Sequence, residues 1–214
     1  MLKRSAPQPL PCVGDDVAVP LRFAPANVFT HIRCRFTLEE PQPDSSDAKP
    51  GLCKAAVLVG LAAYQDEVRV ILTQRKADLR VHAGQIAFPG GRIETADRDP
   101  AAAALRETQE EIGLEPEIVE PIGYLPSFMT GTGFRITPVI AKIETPLHLK
   151  PNPDEVAEVF EVPFAFLMDS TNHFVRQRMF EGKERQFYAI PYGERDIWGV
   201  TAGILRHLYE RLYR

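Results

Sequence analysis

Residues 88–114 read FPGGRIETADRDPAAAALRETQEEIGL, and the second half of this stretch is the clearest helix in the chain. Asp99 stands as N-cap, Pro100 takes the first helical position, and Gly113 follows Ile112 as a C-terminal stop. Ala101, Ala104, Leu105, Thr108 and Ile112 recur at helical spacing, which predicts the core-facing side. Glu107, Glu110 and Glu111 stand at i, i+3 and i+4 and share another face. Like charges at that spacing repel, and a face of carboxylate oxygens suits Mg²⁺ or Mn²⁺, whereas zinc would call for His or Cys. Arg106 sits i, i+4 from Glu110, close enough to orient a carboxylate. A solvated acidic face has the same spacing, so the helix by itself does not decide between the two.

Working outward, the short apolar piece Gln85 to Phe88 is stopped by Pro89-Gly90-Gly91, residues that end a strand and permit backbone angles closed to other side chains. Further upstream, CKAAVLVGLAAY (residues 53–64) and VRVILTQR (68–75) flank Gln65-Asp66-Glu67, which predicts a hairpin. Downstream, strands are expected at 118–125, 134–143 and 156–162, with a short helix around 163–168. A second hairpin is expected at 174–180 and 185–190. Val200 to Leu212 places Ile204, Leu205, Leu208 and Leu212 on one stripe, a closing amphipathic helix. That stripe serves a core, and it also leaves room for a homodimer. Irregular alternation of strands and helices predicts an α/β or α+β class.

Residues 1–50 carry eight prolines, too many for a regular sheet or a long helix, and predict an extended N-terminal arm and linker. Within it, residues 28–38 offer one strand or helical turn. The remaining residues, 51–214, form the folded domain, in keeping with a length of 214 residues. A hydrophobic content of 44% with 25% charged residues excludes a disordered or fibrous chain. The longest apolar run, Ala55 to Tyr64, is too short to span a bilayer and reads as a buried strand. Three cysteines without a CxxC pair, and an N-terminus without an apolar signal core, predict a cytoplasmic protein with no membrane association. A net charge of −4 argues against a nucleic-acid partner held by general electrostatics.

Charge is nevertheless segregated. Residues 74–92 hold Arg75, Lys76, Arg80 and Arg92 against Asp78, a net +3, while residues 94–120 hold nine acids against Arg98 and Arg106, a net −7. Basic side chains and Gly-turn amides beside clustered carboxylates suit a phosphorylated small molecule, the cations taking phosphate oxygens and the carboxylates holding metal ions that bridge to them.

The stretch from Gly91 through Asp97 to Arg106-Glu107-Thr108-Gln109-Glu110-Glu111-Ile112-Gly113-Leu114 resembles the Nudix box, GX5EX7REUXEEXGU, in which U is a bulky aliphatic residue. Thr108 stands where the aliphatic residue is usual, Asp97 replaces the first Glu, and eight residues rather than seven separate Asp97 from Arg106. A second motif, Leu72-Thr73-Gln74-Arg75 through Arg80 and Gly84 to Phe88-Pro89-Gly90-Gly91, is similar to the LLTXR(S/A)X3RX3GX3FPGG signature of the coenzyme A pyrophosphatase branch, with Lys76 in place of Ser or Ala. The resemblance covers roughly residues 53 to 210 and not the arm.

The resemblance implies an α/β/α sandwich around a mixed β-sheet. It implies Mg²⁺ or Mn²⁺ on Glu107 and Glu111, with Glu110 assisting, and Arg106 holding that face by ion pairing. Glu110 or Glu155 would be the general base, and Gly90 or Gly91 would offer a backbone carbonyl or allow close approach. The implied reaction is hydrolysis of the pyrophosphate of coenzyme A or its derivatives to 3′,5′-ADP and 4′-phosphopantetheine or its acyl form. Arg75 and Arg80, with His82 and Lys76 behind them, are then candidates for the phosphates, and Phe128, Phe134, Tyr192 and Trp198 for the flanks of adenine or pantetheine. Two other readings stay open: a Nudix pyrophosphatase for ADP-ribose, NADH or another nucleoside diphosphate derivative, and a nucleotide-sensing domain that does not cleave.

Overall fold

The computed structural model describes residues 21–41, 52–79, 82–180 and 182–214. Helix α1 (Pro25–Arg35) comes first. Strands β1 (Cys53–Ala63) and β2 (Val68–Arg75) then form the expected hairpin, paired antiparallel from Leu61↔Val70 to Ala63↔Val68. Beyond that register the two strands part. The short strand β3 (Ile86–Ala87) pairs with the far end of β2, and β4 (Gly90–Arg92) pairs with the near end of β1. After helix α2 (Pro100–Ile112), strands β5 (Val119–Tyr124) and β6 (Phe128–Met129) lie antiparallel to β7 (Phe134–Glu144). Strand β7 runs parallel to β1 over all eleven of its residues, and β8 (Val156–Pro163) closes the outer edge of β2, so the main sheet is mixed. The short helix α3 (Phe164–Leu167) leads to a three-stranded antiparallel sheet of β9 (Phe174–Phe180), β10 (Lys183–Tyr192) and β11 (Arg195–Trp198), and α4 (Val200–Tyr213) ends the chain.

Alternation along the central strands divides the core in two. Ala56, Leu58, Ala62, Ile71 and Val139 face α2, meeting Ala101, Ala103, Ala104 and Ile112. Val59, Leu61, Val70, Leu72 and Ile140 face the other way, toward Val28, Phe29 and Ile32 of α1 and Ile204, Leu205, Leu208 and Leu212 of α4. Helices thus cover both faces of a mixed sheet, the α/β/α sandwich. Each fully buried aliphatic or aromatic side chain contributes about 1.5–3 kcal/mol relative to exposure. The closing helix spends its stripe on this core. None of the described helices is long and apolar enough to cross a membrane.

The structure differs from the sequence expectations in several places. Residues 25–35 are not an extended arm but an eleven-residue helix. Pro25 occupies the helix start, where its missing N–H costs nothing, and no proline follows until Pro41. Val28, Phe29 and Ile32 then fall on one stripe and are buried. The rest of the arm, residues 1–20 and 42–50, lies outside the described residues. Gly90–Arg92, read as a stop, is itself a short strand on β1. Strands β6 and β11, two and four residues long, lack a readable period. On α2, Ala103 is buried and Leu105 only half-buried.

Candidate active site

Helix α2 starts as expected: Asp99 Oδ1 accepts from Ala102 N–H at 2.7 Å, and Pro100 follows. Its C-terminus turns at Gly113 in the left-handed conformation (φ 66°), whose N–H donates to Gln109 O. Two further amides close the last turn, Lys150 N–H to Ile112 O at 2.7 Å and Asn152 N–H to Glu111 O at 2.8 Å. Thr108 replaces an aliphatic residue without leaving a buried donor unpaired, because its hydroxyl donates to Ala104 O at 2.6 Å. The helix is therefore anchored at both ends and along its inner side.

The parting of β1 and β2 brings the Gly-Gly turn onto this helix. Gly90 has φ 147°, and a Cβ there would strike the backbone of Ala56 and Val57, so the position requires glycine. Its N–H donates to Glu111 Oε2 at 3.1 Å. At Gly91 a Cβ would collide with the carboxylate of Glu107, which fills that space. The short strand thus seats one carboxylate and hydrogen-bonds another.

Arg106 clamps the acidic face. It donates from Nε and Nη2 to the two oxygens of Asp97 at 3.1 and 3.0 Å, from Nη1 to Glu107 at 3.0 Å and Glu110 at 3.3 Å, and from Nη2 to Arg92 O at 3.0 Å. This pairing and the Glu94 N–H at 2.7 Å hold the Asp97 carboxyl below its ordinary range. Asp97 therefore serves the guanidinium. The one-residue expansion of the box is accommodated in the turn before the helix, which closes by Asp97 N–H to Glu94 O at 3.1 Å.

Glu111 differs from its neighbours in burial. Only 5% of the residue is exposed, although its spacing would put it on the solvent face. Burial pushes its carboxyl up to about 7, against the pull of the Gly90 N–H and of Arg75; the charges of Glu155 and Glu107 add to the rise. Burial also raises Glu107, with Arg106 opposing and Glu110 and Glu155 reinforcing. The Arg75 Nη1 stands 3.7 Å from Glu111 Oε1, and the buried Arg75 Nε has no hydrogen-bond partner.

Of the residues expected at the site, Arg75, Gly90, Gly91, Arg106, Glu107, Glu110 and Glu111 come together, and Glu155 faces Glu107 and Glu111 closely enough to raise both. Arg80 lies outside the described residues. His82 does not join them: it sits exposed in a turn at φ 57°, its Nδ1 2.8 Å from Gln85 Oε1. Lys76 pairs with Asp78 at 3.5 Å. Phe128 and Tyr192 pack on the core, Phe134 lies beneath the Arg92 guanidinium at 5.6 Å, and Trp198 meets Phe187 edge-on at 5.6 Å. Sequence reasoning missed the clamping role of Asp97; the acid in the turn nine residues before the arginine was its signal.

Among the described residues no three His, Cys, Asp or Glu side chains enclose a metal position. The reason is visible in the pairings, since Glu107 and Glu110 are turned onto Arg106 and Glu111 onto Gly90 and Arg75. The donor chemistry nonetheless suits a hard divalent cation. Every ligating atom on offer is a carboxylate oxygen, and the buried Glu111 carboxyl has Arg75, 3.7 Å away, as the cation beside it.

The NUDIX domain family model matches residues 54–182, which include the clamped helix, the Gly-Gly strand and Arg75. The chain belongs to the Nudix family. Among its Nudix relatives, a Klebsiella pneumoniae protein named uncharacterized Nudix hydrolase NudL is 41% identical over 174 residues, covering 81% of this chain and 89% of the relative. The protein of the same name from Salmonella newport is 38% identical over 180 residues, 84% and 92% of the two chains. The crystal structure of DR0079 from Deinococcus radiodurans is similar with a TM-score of 0.50 at 13% identity, over 82% of this chain and 99% of that one, a likeness of fold. The chain is a Nudix hydrolase, acting on small nucleotide derivatives, and Nudix hydrolases generally use divalent ions such as Mg²⁺ or Mn²⁺.

Proposed function

We propose that this hydrolase cuts the pyrophosphate bond of coenzyme A and its derivatives, giving 3′,5′-ADP and 4′-phosphopantetheine or its acyl form. The meeting of two motifs carries this reading. Arg75 of the LLTXR-type segment and Gly90 of FPGG both touch Glu111 of the box, so the residues of the narrower signature belong to the same site as the carboxylate helix.

In this reading Glu107 and Glu111, with Glu110 assisting, hold Mg²⁺ or Mn²⁺. The bound cation supplies charge neutralisation on the pyrophosphate and a more acidic water. Arg106 keeps the carboxylates presented and Asp97 keeps Arg106 in place. Arg75, whose side chain is partly exposed beside Glu111, takes a phosphate oxygen; Arg80 is proposed to take another. Gly90 and Gly91 let the substrate approach the backbone. Glu155, exposed and coupled by charge to both Glu107 and Glu111, is favoured over Glu110 as the base that takes a proton from the attacking water, because Glu110 is paired with Arg106.

Product chromatography after incubation with coenzyme A and Mg²⁺ or Mn²⁺ tests this, with ADP-ribose and NADH in parallel and Glu107→Gln as control. Release of 3′,5′-ADP that disappears in the variant is the expected result. Faster cleavage of ADP-ribose or NADH would overturn the substrate assignment. Cleavage of none of them with either metal would leave nucleotide sensing as the function.

A further inference from the structure

The connection between β7 and β8 passes the end of α2 before it enters the sheet, and one of its residues meets both carboxylate-bearing segments of the site. Asn152 donates its backbone N–H to Glu111 O at 2.8 Å, and its own carbonyl accepts from Glu155 N–H at 3.2 Å and Val156 N–H at 2.9 Å. Two successive main-chain hydrogen bonds thus lead from Glu111 to Glu155 through a single residue. From the other side Lys76 N–H, next to Arg75, donates to Glu155 O at 3.1 Å. The backbone of Glu155 is therefore tied to the end of α2 and to the end of β2, while the residue itself is exposed.

The side chain of Asn152 sets the path between these ties. Residues 152–155 read Asn-Pro-Asp-Glu, and the Asn152 Oδ1 accepts from Asp154 N–H at 3.0 Å. This is an Asx turn, in which a side-chain oxygen takes the part of a backbone carbonyl, and Pro153 fixes φ at the position after it. Alanine at position 152 keeps the backbone N–H and C=O but loses the oxygen that closes the turn. The end of α2 keeps a separate tie, Lys150 N–H to Ile112 O at 2.7 Å. Loss of the side chain therefore acts on the path from Pro153 to Glu155 more than on the helix.

We infer that Asn152 is a positioning residue for Glu155, its side-chain amide oxygen holding the turn that presents the Glu155 carboxylate to the face formed by Glu107 and Glu111. The inference rests on Glu155 as the base, as proposed above. It explains why the charge of Glu155 reaches both of those carboxylates although the three residues come from two segments far apart in sequence.

The test measures kcat and KM on the full chain with Mg²⁺ for wild type, Asn152→Ala, Asn152→Asp, Glu155→Gln and the double variant Asn152→Ala/Glu155→Gln. The substrate is whichever of coenzyme A, ADP-ribose and NADH the wild type cleaves fastest, so that the substrate assignment does not enter. Glu155→Gln is expected to lower kcat about 10²-fold, and Asn152→Ala about tenfold with KM unchanged. Asn152→Asp, whose carboxylate accepts the same amide, restores most of that loss. In the Glu155→Gln background Asn152→Ala is expected to change kcat no further, because it acts through the base. A silent Asn152→Ala, a loss that appears in KM, no recovery with aspartate, or equal losses in both backgrounds would overturn the positioning role and leave the base in place. A Glu155→Gln variant as active as wild type, or a wild type that cleaves none of the three, overturns the base and this inference together.

Discussion

The carboxylate of Glu107 occupies the space in which a side chain at Gly91 would stand. The Gly91 backbone itself tolerates alanine, and the obstructing group is the end of a flexible side chain. Gly91→Ala is therefore expected to fold with a stability change within about 1 kcal/mol, while displacement of Glu107 lowers kcat about 10²-fold. Gly90→Ala contrasts with it, since its Cβ meets the backbone of Ala56 and Val57 at a φ of 147°, and should cost about 3 kcal/mol or more. Thermal melts and steady-state rates on the two variants check this; similar melts would sink the distinction.

Arg106 holds Asp97, Glu107 and Glu110 at once, and the side chain of Asp97, though not the whole residue, is nearly covered. Removing the guanidinium leaves an inward carboxylate unpaired. Arg106→Ala should lose about 2–4 kcal/mol of stability as well as activity. Asp97→Asn should retain more of both, because Arg106 keeps its bonds to Glu107, Glu110 and the Arg92 carbonyl. Urea denaturation gives the ordering, and an Asp97→Asn variant as unstable as Arg106→Ala would contradict the clamp.

Glu111 makes the metal-free protein sensitive to pH. Its carboxyl is raised from 4.5 to about 7, so the folded state holds a proton that the unfolded chain releases. Its contribution is fully favourable below pH 4.5 and is lost as pH rises through about 7. In chelator, Glu111→Gln should gain stability relative to wild type at pH 8 and show little of that gain at pH 4. An equal difference at both pH values would refute the assignment. Added Mg²⁺ should stabilise the wild type at pH 8 more than the variant.

Helix α1 is part of the core rather than an appendage. Ile32 is fully buried, and Arg33 ties the helix to Glu120 of β5 with contacts of 2.8 and 2.9 Å. Ile32→Ala should cost about 2–5 kcal/mol, lowering the melting temperature while leaving kcat at low temperature unchanged. A melt indistinguishable from wild type would mean that the helix contributes nothing to the domain.

Local chemistry was enough to read much of this protein from its residues. The N-cap Asp99, the Pro100 start and the Gly113 stop bound α2 by interactions within a few residues, and the i, i+3, i+4 spacing puts three glutamates together whatever surrounds them. The β1–β2 hairpin, most later strands and the closing stripe were likewise legible from period and turn residues. Pairing between distant segments was not. Only the parting of β1 and β2 places Gly90 and Arg75 on Glu111, buries that carboxylate and raises its pKa. The burial of α1 depends on a partner surface assembled from β5 and α4. Helical spacing and capping are short-range and survive in any fold, whereas desolvation and long-range ion pairing exist only once the chain has closed on itself.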